Sequence, residues 1–231
     1  MTAGADVGGR AAVRGRSAGF DDALAGSPAR LVRDDGLEVD LAVRRWRCAA
    51  AGDDRWLLDR CRGPARIRGR RPGRLLAALA ARGVPALGVD VSAVAARHCR
   101  RRGVPMVRRD VLGPLPGEGT WEHVLLADGN IGIGGDPLRL LHRAAHLVRP
   151  GGTVLVETDA RPDALWRGTV RVASAQGSGP PLPWACVGAD VLGRLAAPLG
   201  LRRTDGYRGG RSFVELTACG PGTAPAAAAA G

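Results

Sequence analysis

The 231-residue chain contains no lysine: all 34 of its basic residues are arginine, set against 22 acids for a formal net charge of +12. Aromatic residues make up only 3%, too few for the stacking ladder on which a single-stranded nucleic-acid surface depends. The arginines are scattered and accompany abundant Ala, Gly and Pro, the signature of a GC-rich coding sequence, so contact with duplex phosphates is a minor reading. The five cysteines, Cys48, Cys61, Cys99, Cys186 and Cys219, are odd in number and widely spaced. Neither a CxxC pair nor a zinc-ligand cluster is present, so no metal is expected. HExxH is missing too. His142 and His146 stand four residues apart, but with no third ligand they read as a surface or core-flanking pair. No basic-then-apolar leader and no bilayer-length apolar run occurs, which points to a cytoplasmic protein without a membrane partner. There is no internal repeat.

What the sequence does contain is alternation of short apolar runs with helical stretches. The order is clearest from Ala65 to Asp90, ARIRGRRPGRLLAALAARGVPALGVD. A short strand leads to a glycine turn between Gly69 and Gly73, a helical run over Arg74 to Arg82, and a second strand over Pro85 to Val89 ending on Asp90. This is the opening βαβ unit of a nucleotide-type α/β fold, whose ligand lies across the carboxyl ends of its strands. One feature conflicts with the pattern. A central parallel strand is normally apolar on both faces, and this one carries Arg66 and Arg68. Burying an unpartnered guanidinium is costly.

Further along, Asp53 to Cys61 reads as a helix leading into that first strand, and Ser92 caps a helix over Ala93 to Arg101. Val104 to Arg108 is the third strand and delivers Asp110 to the loop beyond. Trp121 to Ala127 is the best strand of the chain and empties into DGNIGIGGDP, residues 128 to 137. Glycines at that density allow close backbone approach or positive φ, and Asp128 and Asn130 stand at the ligand edge. Pro137 opens a helix stopped by Pro150-Gly151-Gly152. Thr153 to Glu157 is the fifth strand, with Glu157 bordering the site. From Arg161 to Pro183 the period is lost and Gly, Ser and Pro accumulate in QGSGPPLP; Trp166 and Trp184 are either walls for an apolar acceptor or packed against the sheet. A helix over Val187 to Leu199 precedes a terminal hairpin, Leu201 to Tyr207 and Arg211 to Leu216. The domain plan is therefore a disordered tail at 1–18, an N-terminal helical or lid segment at 19–62, an α/β domain at 63–217 and a flexible tail at 218–231.

With these motifs the chain resembles the class I S-adenosylmethionine-dependent methyltransferases over roughly residues 35 to 217. That resemblance implies a Rossmann-like three-layer sandwich with a seven-stranded, mostly parallel sheet and an antiparallel last strand. It implies S-adenosylmethionine as cofactor and methyl transfer to a small-molecule acceptor. Gly69 and Gly73 match the outer glycines of the first loop, and Pro72 suits it. Arg71 stands at the middle glycine and Ile67 at the usual acid. Asp90 matches the residue on the adenosyl ribose and Asp110 the one near the adenine. Asp128 and Gly129 match the loop at the methionine end, with Asp128 also placed to orient the acceptor; Asn130, Glu157 and Trp184 border the acceptor. A base, where the acceptor needs one, is His98, His123, Glu157 or none. The departures at Arg66, Ile67, Arg68, Arg70 and Arg71 leave three alternatives open: adaptation to an anionic ligand, a non-catalytic scaffold, or a short coding error restored to frame at Pro72. Nucleic-acid binding or RNA methylation ranks below these.

Overall fold

The computed structural model describes residues 20–68 and 72–220. The expected tail at 1–18, all of the expected tail at 218–231 beyond residue 220, and the loop positions Gly69, Arg70 and Arg71 lie outside them; Ala218 belongs to the last strand. The chain begins with a short helix, α1, over 20–25, then a hairpin of β1 (Ala29–Arg33) and β2 (Glu38–Asp40). The hairpin turn is set locally: Asp35 Oδ1 accepts from Leu37 N at 3.2 Å, and Gly36 takes φ 85°, conformations that Asp and Gly favour. Helices α2 (Val43–Arg47) and α3 (Asp54–Arg60) follow. Segment 19–62 is therefore part strand rather than wholly helical.

The α/β unit comprises β3 (Ala65–Arg68), α4 (Pro72–Ala81), β4 (Ala86–Asp90), α5 (Ala93–Arg101), β5 (Met106–Arg108), β6 (Trp121–Leu126), α6 (Pro137–Leu147) and β7 (Val148–Thr158). After an excursion the chain returns through α7 (Ala189–Ala196), β11 (Leu201–Arg208) and β12 (Ser212–Ala218). The sheet order is β11-β12-β7-β6-β3-β4-β5. Strands β3 to β7 pair in parallel, and β12 runs against both β7 and β11. This is the expected seven-stranded, mostly parallel sheet with a reversed last strand.

Local chemistry explains the helices. Ser92 Oγ accepts from Val94 N and Ala95 N to start α5, and Asp136 accepts from Arg139 N with Pro137 in the first turn of α6. Each cap satisfies backbone N–H groups that a helix leaves unpaired. Along α6, Leu140, Leu141, Ala144 and Leu147 are buried, the three-to-four spacing of one helical face. They and α7 pack on one side of the sheet, with Val124, Leu126, Val154 and Val156. On the other side α3 and α4 pack Leu57, Leu58, Leu75 and Leu79 against Ala65, Leu125 and Leu155. The strands thus present apolar side chains to both faces, as a covered parallel sheet requires.

The excursion between β7 and α7 corrects the sequence reading. Residues 161–183 are not aperiodic: β8 (Leu165–Ser174), β9 (Gly177–Ser178) and β10 (Leu182–Val187) build a second, antiparallel sheet of order β10-β8-β1-β2, with β9 on β8. The N-terminal hairpin completes that sheet through five register pairs from Ala29↔Ser174 to Arg33↔Val170. Its core is Phe20, Val170, Val172, Leu182 and Trp184.

Candidate functional site

Strand order reverses between β3 and β6, since the chain runs outward from β3 to β5 and then returns to the other side of β3. The crevice at the carboxyl ends of these strands is where an open α/β sheet takes its ligand. Asp90 ends β4 there, with 5% of its surface exposed. Its Oδ1 accepts from Ser92 N at 2.7 Å, and Ser92 Oγ donates to Asp21 Oδ1 at 2.7 Å. Phe20 stacks on Trp184 with centroids 5.8 Å apart, and His98 Nε2 lies 2.9 Å from Leu24 O. Helix α1 is thus fastened across the end of β4. Asp110 sits in the turn after β5, its Oδ1 accepting from Leu112 N at 3.0 Å. Gly73 opens α4 and is buried, whereas Gly69 is outside the described residues.

Asp128 follows β6 at the same edge. It is buried, and its φ of 58° makes it the one non-glycine residue with positive φ among those described. Arg74 donates to it twice, Nη1 to Oδ2 at 2.6 Å and Nη2 to Oδ1 at 3.1 Å. Arg74 also grips Asp54 twice, at 2.9 Å each. Arg211, from the turn between β11 and β12, donates Nη1 to Asp54 at 2.5 Å, Nε to Glu157 Oε1 at 2.8 Å and Nη2 to Asp128 at 3.3 Å. Glu157 Oε2 accepts from Arg211 Nη2 and from the Asp128 backbone N–H. Arg45 of α2 adds a contact to Asp128 Oδ1 at 3.2 Å.

Three arginines and three carboxylates thus converge on the carboxyl edge. Burial pushes the Asp54 carboxyl up, but the Arg74 and Arg211 guanidiniums outweigh it and hold it below the ordinary carboxylate value. The converse holds for Arg74 and Arg211: burial opposes their charge, and the carboxylates beside them raise both above the usual arginine range. Asp54, Arg74 and Arg211 are thereby held in their charged forms.

The glycine-rich loop after Asp128 shows both properties its composition suggests, with positive φ at Gly129, Gly134 and Gly135 and a close backbone approach at Gly132. A Cβ on Gly132 would fall 1.9 Å from Ala185 O and 2.9 Å from Trp184 Nε1. The close approach is therefore to β10, and the loop fastens the second sheet over the edge of the first. Within it Asn130 is buried and opens a single 3₁₀ turn, Asn130–Gly132. Trp184 is brought against Gly129 and Phe20, so Asp128, Gly129, Asn130, Glu157 and Trp184 share one corner. Trp166 instead lies under Arg33, 3.7 Å from guanidinium carbon to ring centroid. A cleft of about 550 Å³ opens nearby, lined in part by Asp159, Tyr207, Arg208 and Ser212.

The candidate bases are placed unequally. His123 receives the Arg62 N–H at Nε2 and faces Thr153 Oγ1 through Nδ1. It is five residues before Asp128, about 16 Å along an extended strand, toward the amino edge. His98 is turned to α1. Glu157 reaches the site, with both oxygens engaged by Arg211. His142 and His146 lie side by side on α6, their ring centroids 4.3 Å apart and their planes tilted by 50°. Among the described residues no grouping of His, Cys, Asp or Glu could hold a metal, and no helix is long and apolar enough to cross a membrane.

Sequence reasoning missed Arg45, Asp54, Arg74 and Arg211. Asp54 was visible only as one residue of the helix read over Asp53 to Cys61, and Arg211 stands 157 residues from it.

No family model and no curated protein matches the chain. Solved structures do. An S-adenosylmethionine-dependent methyltransferase from Bacteroides fragilis, in complex with S-adenosyl-L-homocysteine, aligns with a TM-score of 0.72 at 18% identity, covering 89% of this chain and 94% of that one. A glycopeptide N-methyltransferase complexed with S-adenosylhomocysteine gives 0.54 at 15% identity, over 74% and 92%. An amino pentose methyltransferase from Micromonospora echinaspora, solved with S-adenosylmethionine, gives 0.51 at 15%, over 94% and 99%. At these identities the likeness is one of architecture, and the chain has the class I methyltransferase fold.

Proposed function

We propose that on this fold the chain works as an S-adenosylmethionine-dependent methyltransferase with a small-molecule acceptor. The observation that carries the reading is Asp90: a buried carboxylate at the end of β4, beside the switch point and beneath α1. A ribose diol offers such a carboxylate two donors. Asp110 would flank the adenine, Gly73 would allow close approach at the first turn of α4, and Asp128 with Gly129 would take the amino-acid end. When bound, the cofactor supplies a methyl on a sulfonium, which leaves as a neutral thioether.

What this chain has to provide is alignment and exclusion of water. The second sheet, Trp184 and α1 roof the edge, and the acceptor would lie beneath them near Asn130 and Glu157. Since Asp128 and Glu157 are held by arginines, they suit orientation better than proton removal. The glycopeptide and amino pentose named for two structural neighbours support a small-molecule acceptor. A non-catalytic scaffold is the second reading, favoured by the buried Arg66 in the strand that leads into the first loop.

Replacing Asp90 with Ala tests the assignment by calorimetry with S-adenosylhomocysteine. Loss of two hydrogen bonds to a charged group should weaken binding by about tenfold or more. Equal affinity in the two proteins would remove Asp90 from the site.

A further inference from the structure

We infer that Arg211 and Asp54 are positioning residues for the amino-acid end of the cofactor, acting through Asp128. The inference rests on the cofactor reading above. Its basis is a closed ring of contacts. Asp128 is bonded through its carboxylate to Arg74, Arg74 to Asp54, Asp54 to Arg211, Arg211 to Glu157, and Glu157 back to the Asp128 backbone N–H. The five members come from the end of β6, the first turn of α4, the start of α3, the β11–β12 turn and the end of β7.

The ring clamps one residue at both its side chain and its main chain. That residue is the one whose backbone needs clamping. A non-glycine residue at φ 58° keeps a conformation disfavoured by its Cβ only where its surroundings over-determine it. A carboxylate held to Arg74 and an N–H held to Glu157 do so, and they fix the direction of the peptide that enters Gly129. With the ribose at Asp90 on β4, a ligand crossing the switch point places its tail toward β6 and therefore toward this peptide. Arg211 also touches the Asp128 carboxylate, Nη2 to Oδ1 at 3.3 Å, while Asp54 reaches Asp128 through Arg74 and Arg211; neither bonds the peptide itself. The terminal hairpin is thereby coupled to the cofactor edge by one side chain, of which 9% is exposed.

Such a device leaves a signature that general destabilisation does not: it distinguishes two ligands sharing one adenosyl group. S-adenosylhomocysteine carries the amino-acid tail, and 5′-methylthioadenosine ends at the thioether. Calorimetric titration of both into wild-type protein and into Arg211→Gln should show the homocysteine ligand weakened by about tenfold or more, with methylthioadenosine within about twofold. Arg211→Lys, which keeps the charge but loses the fork, should fall between, and Asp54→Asn should repeat the selective loss. Should Arg211→Gln fail to fold, the lysine variant carries the comparison alone. Unchanged affinity for S-adenosylhomocysteine, or equal loss for the two ligands, overturns the positioning role. Wild-type protein that binds neither ligand overturns the cofactor reading itself, and this inference with it.

Discussion

In β3 a guanidinium is folded into the middle of a central parallel sheet. Arg66 has none of its surface exposed, donates to Pro116 O and rests 4.3 Å from the Trp121 ring centroid. Its Nε and Nη1 find no hydrogen-bond partner among the described residues. Burial pushes its pKa down to about 10, the mark of a charge that the fold tolerates rather than uses. Replacing such a group with an apolar one of similar size removes a desolvation cost, so Arg66→Leu should stabilise the protein by about 1–4 kcal/mol in urea unfolding. Lower stability would mean that the cation–π contact outweighs the burial cost. Asp54 is the opposite case, because its charge is matched by Arg74 and Arg211. Asp54→Ala should cost about 3–5 kcal/mol by leaving those guanidiniums short of a partner. Its folded pKa lies below the unfolded value, so the stability it contributes is present above that value and lost as pH falls through the folded one. The misfit at Arg66 was legible in the sequence because a strand pattern says what belongs there. The lattice was not, because ion pairing leaves no period and its partners are brought together only by the finished topology.

At the scale of elements, the second sheet shows why the stretch after β7 misleads. Gly168 and the run QGSGPPLP read as breakers. Yet Pro183 lies in β10, the edge strand of its sheet, where a missing N–H is tolerated. A Cβ on Gly168 would meet the Trp166 ring at 2.6 Å and the Asp34 carboxylate at 2.7 Å. Alternation was present in Val170 and Val172, but of the two strands that flank β8 only β10 is close in sequence, and the other, β1, lies far upstream. The joint between this sheet and the first is Gly132, and Gly132→Ala should loosen it, costing about 1–3 kcal/mol as overpacking does. Hydrogen exchange should show the loss of protection concentrated in β10; protection lost evenly across both sheets would argue against a joint there.

His123, near the start of β6, sets a pH dependence. Burial lowers its pKa from the ordinary 6.5 despite the attraction of Glu122 and Glu215, and its Nε2 must stay unprotonated to accept the Arg62 N–H. Stability from a depressed pKa is present above the unfolded value and lost as pH falls through the folded one. Stability to thermal unfolding should therefore fall below about pH 6.5, and His123→Gln should flatten part of that slope. An unaltered slope would assign the dependence to other groups, His98 among them.

For the whole molecule, the seven-stranded sheet was legible because each strand, helix and connection kept its order, and because Asp90, Asp110 and Asp128 each follow a strand of that sheet. The structure gathers these acids along one edge, fastens a second sheet to the loop after Asp128, and locks that end of the edge with arginines. The proposed function requires this edge to take S-adenosylmethionine despite the arginines at 66, 68, 70 and 71. Titrating S-adenosylhomocysteine into the wild-type protein in a calorimeter should give saturable binding with a Kd on the order of micromolar, about −8 kcal/mol, and a rise in thermal stability as ligand is added. Folded protein that gives no heat and no thermal shift at about millimolar ligand, a level at which a micromolar site would be saturated, would contradict it.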